Sequence, residues 1–276
     1  MTVAPAFLFV SLAFAACGGG GESSAPVAAA QTPPPAVAAP PIAPVSADIT
    51  ILMMGNSHTS TNHLPETLAA MLRAGKPGKT VAVVVAPGSM FLEERFNHAP
   101  SIALLQSQPW SFVILQAQKY STSGMFVYST TEAEQLVRMA RSMRAVPIMF
   151  PEWPRFGIPE TATIYDLHAS IAFKQPACVA PIGQAWDLSL MRNPGLTLHS
   201  GDGNHSAAPG AFLAALVLYA TLTGGSPAAL PTLPIQGIDA NVQSELRNVA
   251  TETVQTTSPR KMCPNDPVFH YRLDTR

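Results

Sequence analysis

Apolar positions between residues 48 and 225 fall into two kinds of run. Thr50 to Met54, Thr80 to Ala86, Phe112 to Leu115, Val146 to Phe150 and Cys178 to Pro181 are short and apolar without period-two alternation, the pattern of strands buried on both faces. Between them, Leu64 to Ala74, Thr131 to Arg144 and Glu160 to Phe173 carry apolar residues at helical spacing, and Ala208 to Leu222 is an almost continuous apolar helix. Strand and helix in alternation predict an α/β fold, with a central, mostly parallel five-stranded sheet and helices on both faces. Ligands of such sheets bind beyond the carboxyl ends of the strands, so the residues after each strand come first in any search for chemistry.

Ahead of this core lies a different kind of sequence. Ala6 to Ala16 is a short apolar stretch ending at Cys17, the length and shape of a secretory h-region. Phe14-Ala15-Ala16-Cys17 resembles the lipobox of bacterial lipoproteins, in which the cysteine is acylated, although Phe14 stands where Leu is usual and no Lys or Arg precedes Arg73. From Glu22 to Ala47, 16 of 26 residues are Ala or Pro, which favours an extended tether over packing. The expected organisation is a signal peptide over 1–17 with lipidation at Cys17, a disordered linker over 18–47, and one domain over 48–276. That predicts a bacterial envelope protein, in the periplasm or at the outer membrane, or otherwise a secreted one.

Composition narrows the partners. Charged residues are only 12%, about half the usual share, and 16 Lys plus Arg against 17 Asp plus Glu leave a net charge of −1, so no basic surface for nucleic acid is expected. No apolar run reaches the roughly 18 residues of a spanning helix, which leaves the lipid at Cys17 as the expected membrane contact. Cys178 and Cys263 would sit in an oxidising compartment, where spacing alone leaves their pairing open.

Two motifs carry chemistry. Gly55-Asn56-Ser57-His58-Thr59 follows the first strand, where a Ser on a tight strand-to-helix turn exposes its hydroxyl near N–H groups that favour an oxyanion. Thr59 in place of a second glycine separates it from the G-x-S-x-G elbow, and a lone G-x-S more often caps a helix. The second motif is Asp202-Gly203-Asn204-His205, leading into the apolar helix. An Asp three residues before a His can hold the imidazole Nδ1 and leave Nε2 free to take a proton.

Together, in this order and this far apart, the motifs resemble the SGNH (GDSL-type) hydrolase superfamily, and the G-N-S first block resembles a divergent subgroup of it. The resemblance runs from Ile51 to about Gly224 and implies a three-layer, flavodoxin-like α/β/α fold. It implies Ser57 as nucleophile, His205 as general base and Asp202 as the residue that orients it. Gly88, after the second strand, matches the block that adds a backbone N–H to that of Ser57 in the oxyanion hole. The block that normally supplies an Asn side chain reads Gln116-Ala117-Gln118 here, so either Gln118, which falls at the matching count, or Gln116, nearest the strand end, is left to supply the amide.

Other candidates are weaker. His58, His63 and His199 beside Asp202 and His205 suggest zinc chemistry, but their spacings fit no standard ligand pair, so neither a metal nor any cofactor is expected. Glu152 and Trp153, after the fourth strand, are candidates to line an acyl or sugar pocket, with a packed Trp beside two prolines as the equal alternative. The expected activity is hydrolysis of a small-molecule or glycan ester through an acyl-enzyme, with short-chain or carbohydrate O-acetyl esters in view. The alternatives are an envelope glycan O-acyltransferase using the same triad and a non-catalytic envelope-binding lipoprotein on the same fold.

Overall fold

The computed structural model describes residues 45–265, all within the second of the two units into which the chain divides, Pro40–Arg276. The expected signal peptide, Cys17 and nearly all of the expected linker lie outside the described residues.

Among the described residues, five strands form one wholly parallel sheet: β1 (Ile49–Met54), β2 (Val81–Val85), β3 (Phe112–Gln116), β4 (Val146–Phe150) and β5 (Cys178–Val179), in the order β2-β1-β3-β4-β5. Eight α-helices accompany them: α1 (Leu64–Gly75), α2 (Leu92–Asn97), α3 (Ala99–Gln106), α4 (Thr131–Ser142), α5 (Thr161–Lys174), α6 (Ile182–Arg192), α7 (Ala208–Thr223) and α8 (Ala240–Thr256). The chain steps one way from β1 to β2 and the other way from β2 through β5. Right-handed crossovers therefore put α1 on one face and α2 to α5 on the other.

The core obeys that rule. Ile49, Ile51 and Met53 pack with α1, α6, α7 and α8, while Leu52 and Met54 pack with α2 to α5. Burial on both faces is why the strands read as unbroken apolar runs. Helix α7 is apolar all round because α1, α6 and α8 enclose it, leaving only its ends outside the core.

Pro147 lies inside β4, where a missing N–H would break a ladder. The Val146 N–H donates toward β3, to Ser111 O at 3.0 Å, so alternation turns position 147 toward β5. Pairing with β5 begins only at Ile148, so nothing is lost and β5 is short. The outer edge of β5 is covered: Val179 N–H donates to Pro259 O at 2.9 Å, and Cys178 and Cys263 form a disulfide across 85 residues. The pairing that spacing left open is thus made, and residues 258–265 of the tail pack on the core.

Strand order 2-1-3-4-5 reverses direction between β1 and β3, and a crevice opens there at the carboxyl ends. Ser57 follows β1 and Gln116 closes β3.

Candidate active site

The loop after β1 is not the simple strand-to-helix turn expected. Ser57 opens a 3₁₀ turn, Ser57–Thr59, a second one spans Thr61–His63, and α1 begins only at Leu64. Asn56 caps the first turn, its Oδ1 accepting from His58 N at 3.0 Å. The Ser57 N–H faces outward and donates to Ser89 Oγ at 3.0 Å.

The second motif closes on the first. Gly203, with a left-handed φ of +69°, folds residues 200–205 into a tight loop in which Ser200 N–H donates to His205 O at 2.8 Å. Asp202 Oδ1 accepts from Ser200 Oγ, Asn204 N and His205 N at 2.7, 2.9 and 2.9 Å, while Oδ2 lies 2.5 Å from His205 Nδ1. The bond to His205, followed by the others, holds this carboxyl well below the usual range, so it is ionised at any ordinary pH. His205 Nε2 lies 2.7 Å from Ser57 Oγ across 148 residues of sequence. With Asp202 on Nδ1, the tautomer that leaves Nε2 as acceptor is the favoured one.

A layer of rings supports this loop. His58 stacks on His205 with centroids 5.0 Å apart and tilts over Trp153 at 4.9 Å. Trp153 stacks parallel on Trp186 at 4.7 Å and donates Nε1–H to Asn204 O at 2.8 Å. Trp153 is 1% exposed, so it is no substrate-lining residue, and the sequence expectation is corrected. It is a floor beneath His58, the ring that stacks on His205. Both nitrogens of His58 face acceptors, Asn56 Oδ1 at 3.0 Å and Asn204 O at 3.2 Å. Burial, then the neighbouring His205, pushes His58 down to about 4, so at neutral pH it donates to one of them only.

The two glutamines do not behave as expected. Ala117, at φ +74°, turns the chain so that Gln118 is directed into the following loop, where its amide donates to Ser129 O at 2.9 Å and Lys119 O at 3.2 Å. Gln116 accepts from Asn56 N at 2.9 Å through Oε1 and donates to Glu152 Oε2 at 2.5 Å through Nε2. The bonds of Gln118 thus hold a loop, and those of Gln116 brace the Gly55–Asn56 peptide. Burial pushes Glu152 up to about 7, against the opposing bond from Gln116. Gly88, at φ +78°, sits in the exposed turn after β2 with no Cβ to obstruct approach to its N–H.

Sequence reasoning missed Arg95, which α2 carries beneath the loops after β1 and β2, where its guanidinium donates to their carbonyls. In Glu93-Glu94-Arg95 it reads as part of a solvated face, and no local signal marks its burial. Among the described residues, no three or more His, Cys, Asp or Glu group as a metal site would require. His63 is exposed, and His199 Nε2 is directed at Pro154 O, 2.8 Å away.

A pocket of about 460 Å³ adjoins the triad. It is lined by Phe91, Tyr128, Lys119, Tyr120, Glu152 and Arg155, and by Asn56, His58 and Asn204, the sequence neighbours of Ser57 and His205. Its cations are paired, Lys119 with Glu93 and Arg155 with Glu160.

No family model matches the chain, and no curated protein does. Solved structures do. A DUF4886 family protein from Bacteroides uniformis aligns over 77% of this chain and 96% of its own, with a TM-score of 0.58 and 16% identity. A protein from Slackia heliotrinireducens described as an SGNH hydrolase covers 62% of this chain and 97% of its own, at 26% identity and a TM-score of 0.47. The esterase EstA from Pseudoalteromonas covers 62% and 95%, at 15% identity and a TM-score of 0.44. The chain has the three-layer, five-stranded parallel α/β/α fold, and SGNH hydrolases are among its structural neighbours. The likeness to the Bacteroides protein is one of fold.

Proposed function

We propose that the protein is a serine esterase of the SGNH type, with Ser57 as nucleophile. The observation that carries this is the unbroken line from Ser57 Oγ through His205 to the Asp202 carboxylate, at 2.7 and 2.5 Å. A protein that only bound its ligand would have no physical use for that line. His205 Nε2 takes the Ser57 proton as Oγ attacks the ester carbonyl carbon, and the carbonyl π electrons move to oxygen. The N–H groups of Ser57 and Gly88 hold that oxygen once Ser89 Oγ has swung away from the first of them. Collapse expels the alcohol, which takes the proton from Nε2. Water then attacks the acyl-enzyme with His205 as base again, the carboxylic acid leaves, and Ser57 regains its proton.

The pocket supports a polar substrate. A long acyl chain lying in it would strip water from Glu152, Lys119 and Arg155 without replacing the hydrogen bonds, whereas a hydroxyl-rich alcohol such as a sugar would meet donors, acceptors and aromatic side chains. The favoured substrates are therefore short-chain O-acyl esters of carbohydrates or polyols, met at the cell envelope if Cys17 is lipidated.

The test is hydrolysis of p-nitrophenyl esters from acetate to long chains by the full chain, beside Ser57→Ala and His205→Ala. Turnover should be greatest on short chains, and kcat should fall on the order of 10⁴-fold or more in each variant. Equal rates in wild type and both variants would overturn the reading. Acyl transfer to an added glycan in preference to water would make the enzyme a transferase on the same triad. Labelled palmitate entering the wild type but not Cys17→Ala would establish the anchor.

A further inference from the structure

We propose that Arg95 is the positioning residue of the oxyanion site, an assignment that rests on the esterase reading. Arg95 is 0% exposed. Its guanidinium is met by main-chain carbonyls: Nη1 donates to Pro87 O at 2.6 Å, and the two hydrogens of Nη2 are shared among Gly55 O at 2.7 Å, Ala86 O at 3.1 Å and Gly88 O. Among the described residues, Ser101 Oγ, at 3.1 Å from Nη1, is its side-chain hydrogen-bond partner. One cation therefore ties together the turn that carries Ser57 and the turn that carries Gly88.

The consequence follows from peptide geometry. In a planar trans peptide the carbonyl of one residue and the N–H of the next point in opposite directions. Drawing Pro87 O down onto the guanidinium therefore sends the Gly88 N–H up, away from the protein interior. Drawing Gly88 O down does the same for the Ser89 N–H. Gly55 O, held by the same group, sends the Asn56 N–H away from Arg95 to Gln116 Oε1, which sets the Gly55–Asn56 peptide, one step before the peptide that carries the Ser57 N–H. The cation also withdraws electron density through each carbonyl it binds, making the N–H on the far side of that peptide a stronger donor to an incoming negative charge. Arg95 touches neither substrate nor reacting atoms, and it acts through Gly88 and the Ser57 turn.

Anchoring makes the arrangement rigid. Leu92 N–H, at the start of α2, donates to Ala117 O at 3.0 Å, and Glu94 Oε2 accepts the Phe91 N–H at 2.8 Å. The helix that presents Arg95 is thus fastened to the end of β3, on the far side of the crevice from β2. Donors fixed before the reaction cost no reorganisation when charge develops, and this is the source of their catalytic worth.

The experiment compares wild type, Arg95→Lys and Ser57→Ala on p-nitrophenyl acetate. It reads kcat and KM separately, with thermal unfolding followed alongside and inactivation by a fluorophosphonate as a measure of tetrahedral-centre stabilisation. Lysine keeps the charge but reaches fewer carbonyls, so kcat should fall on the order of 100-fold. KM should stay within about threefold, the acidic limb of the kcat/KM pH profile should be unmoved, and inactivation should slow in parallel with kcat. A folded Arg95→Lys with wild-type kcat overturns the assignment. So does a loss that merely tracks the unfolded fraction. Should Arg95→Lys not fold, Ser101→Ala loosens the guanidinium by one bond and reads the same split: a several-fold lower kcat at unchanged KM supports the assignment, and no change overturns it. Absence of Ser57-dependent turnover in the wild type would overturn the esterase reading first and this assignment with it, so the two failures are distinguishable.

Discussion

Gly55 leaves room for Gln116. A Cβ added at position 55 would lie 2.3 Å from Gln116 Oε1 and 2.8 Å from Thr59 Cγ2, closer than any real contact. Gly55→Ala should therefore push Gln116 off the Asn56 N–H and tilt the Ser57 turn. We expect a loss of a few kcal/mol in stability and a fall in kcat of at least tenfold, read by urea denaturation and ester hydrolysis on the same preparation. The meeting of Ser57, His205 and Asp202 was legible because Asp202 and His205 are local neighbours, whose pairing needs only a three-residue loop, and because the order of the two motifs pointed to Ser57 as their partner. What decides the donors beyond the triad was not legible. The turn at Ala117 sends Gln118 into a loop, a left-handed residue that no side-chain type announced. Trp153 lies beneath the site rather than in it because Trp186 and His58 cover its two faces. Either fact requires knowing what packs on what, and spacing along the chain does not carry that.

Among the elements, those with a sustained apolar pattern, unbroken in the strands and at helical spacing in α1, α4 and α5, were the readable ones. β1, β3 and β4 matched their apolar runs within a residue or so, and α7 stood out because its whole surface is core. Helices α2 and α3 are short and lack a clear apolar stripe, so no periodicity betrayed them. α8 did carry a signal that went unread: Asp239 caps its first turn, and Val242, Leu246, Val249, Ala250 and Thr253 recur along one face. β5 is the weakest strand by length, two residues, and the disulfide compensates by fastening its first residue to the tail. Closing a loop of 85 residues removes unfolded-chain entropy worth about 4.6 kcal/mol in the chain-entropy model. Reduction, or Cys263→Ser, should therefore lower the urea midpoint clearly. An equal midpoint with and without reductant would mean that the edge is held by packing alone.

At the scale of the whole molecule, stability should depend on two buried imidazoles and one buried carboxyl. Burial pushes His168, whose Nδ1 lies 2.8 Å from Ile164 O, and His58 down to about 4 each. Since both folded values lie below the unfolded 6.5, the unfolded chain takes up protons first, and stability falls as the pH drops from about 6.5 to about 4. Glu152, up at about 7, has the opposite sign: its protonated form favours the folded state as the pH falls from about 7 to 4.5. The two histidines outweigh it. Between pH 7.5 and 5, His168→Leu should lose about 2 kcal/mol less than wild type, measured as the change in unfolding free energy across that interval. An identical slope in the two proteins would remove His168 from the account.

The sheet is parallel throughout, and this gives the molecule a front and a back. Val45 enters beside Gln108, and Asp48 beside Thr80, both at the amino ends of the strands, whereas Ser57, His205 and the pocket sit at the carboxyl ends. A protein coupled to a bead or an electrode through any group just ahead of Val45 would show its working face to the solution and its blank face to the support. It should turn over a bulky polymeric ester as freely when immobilised there as when it is in solution.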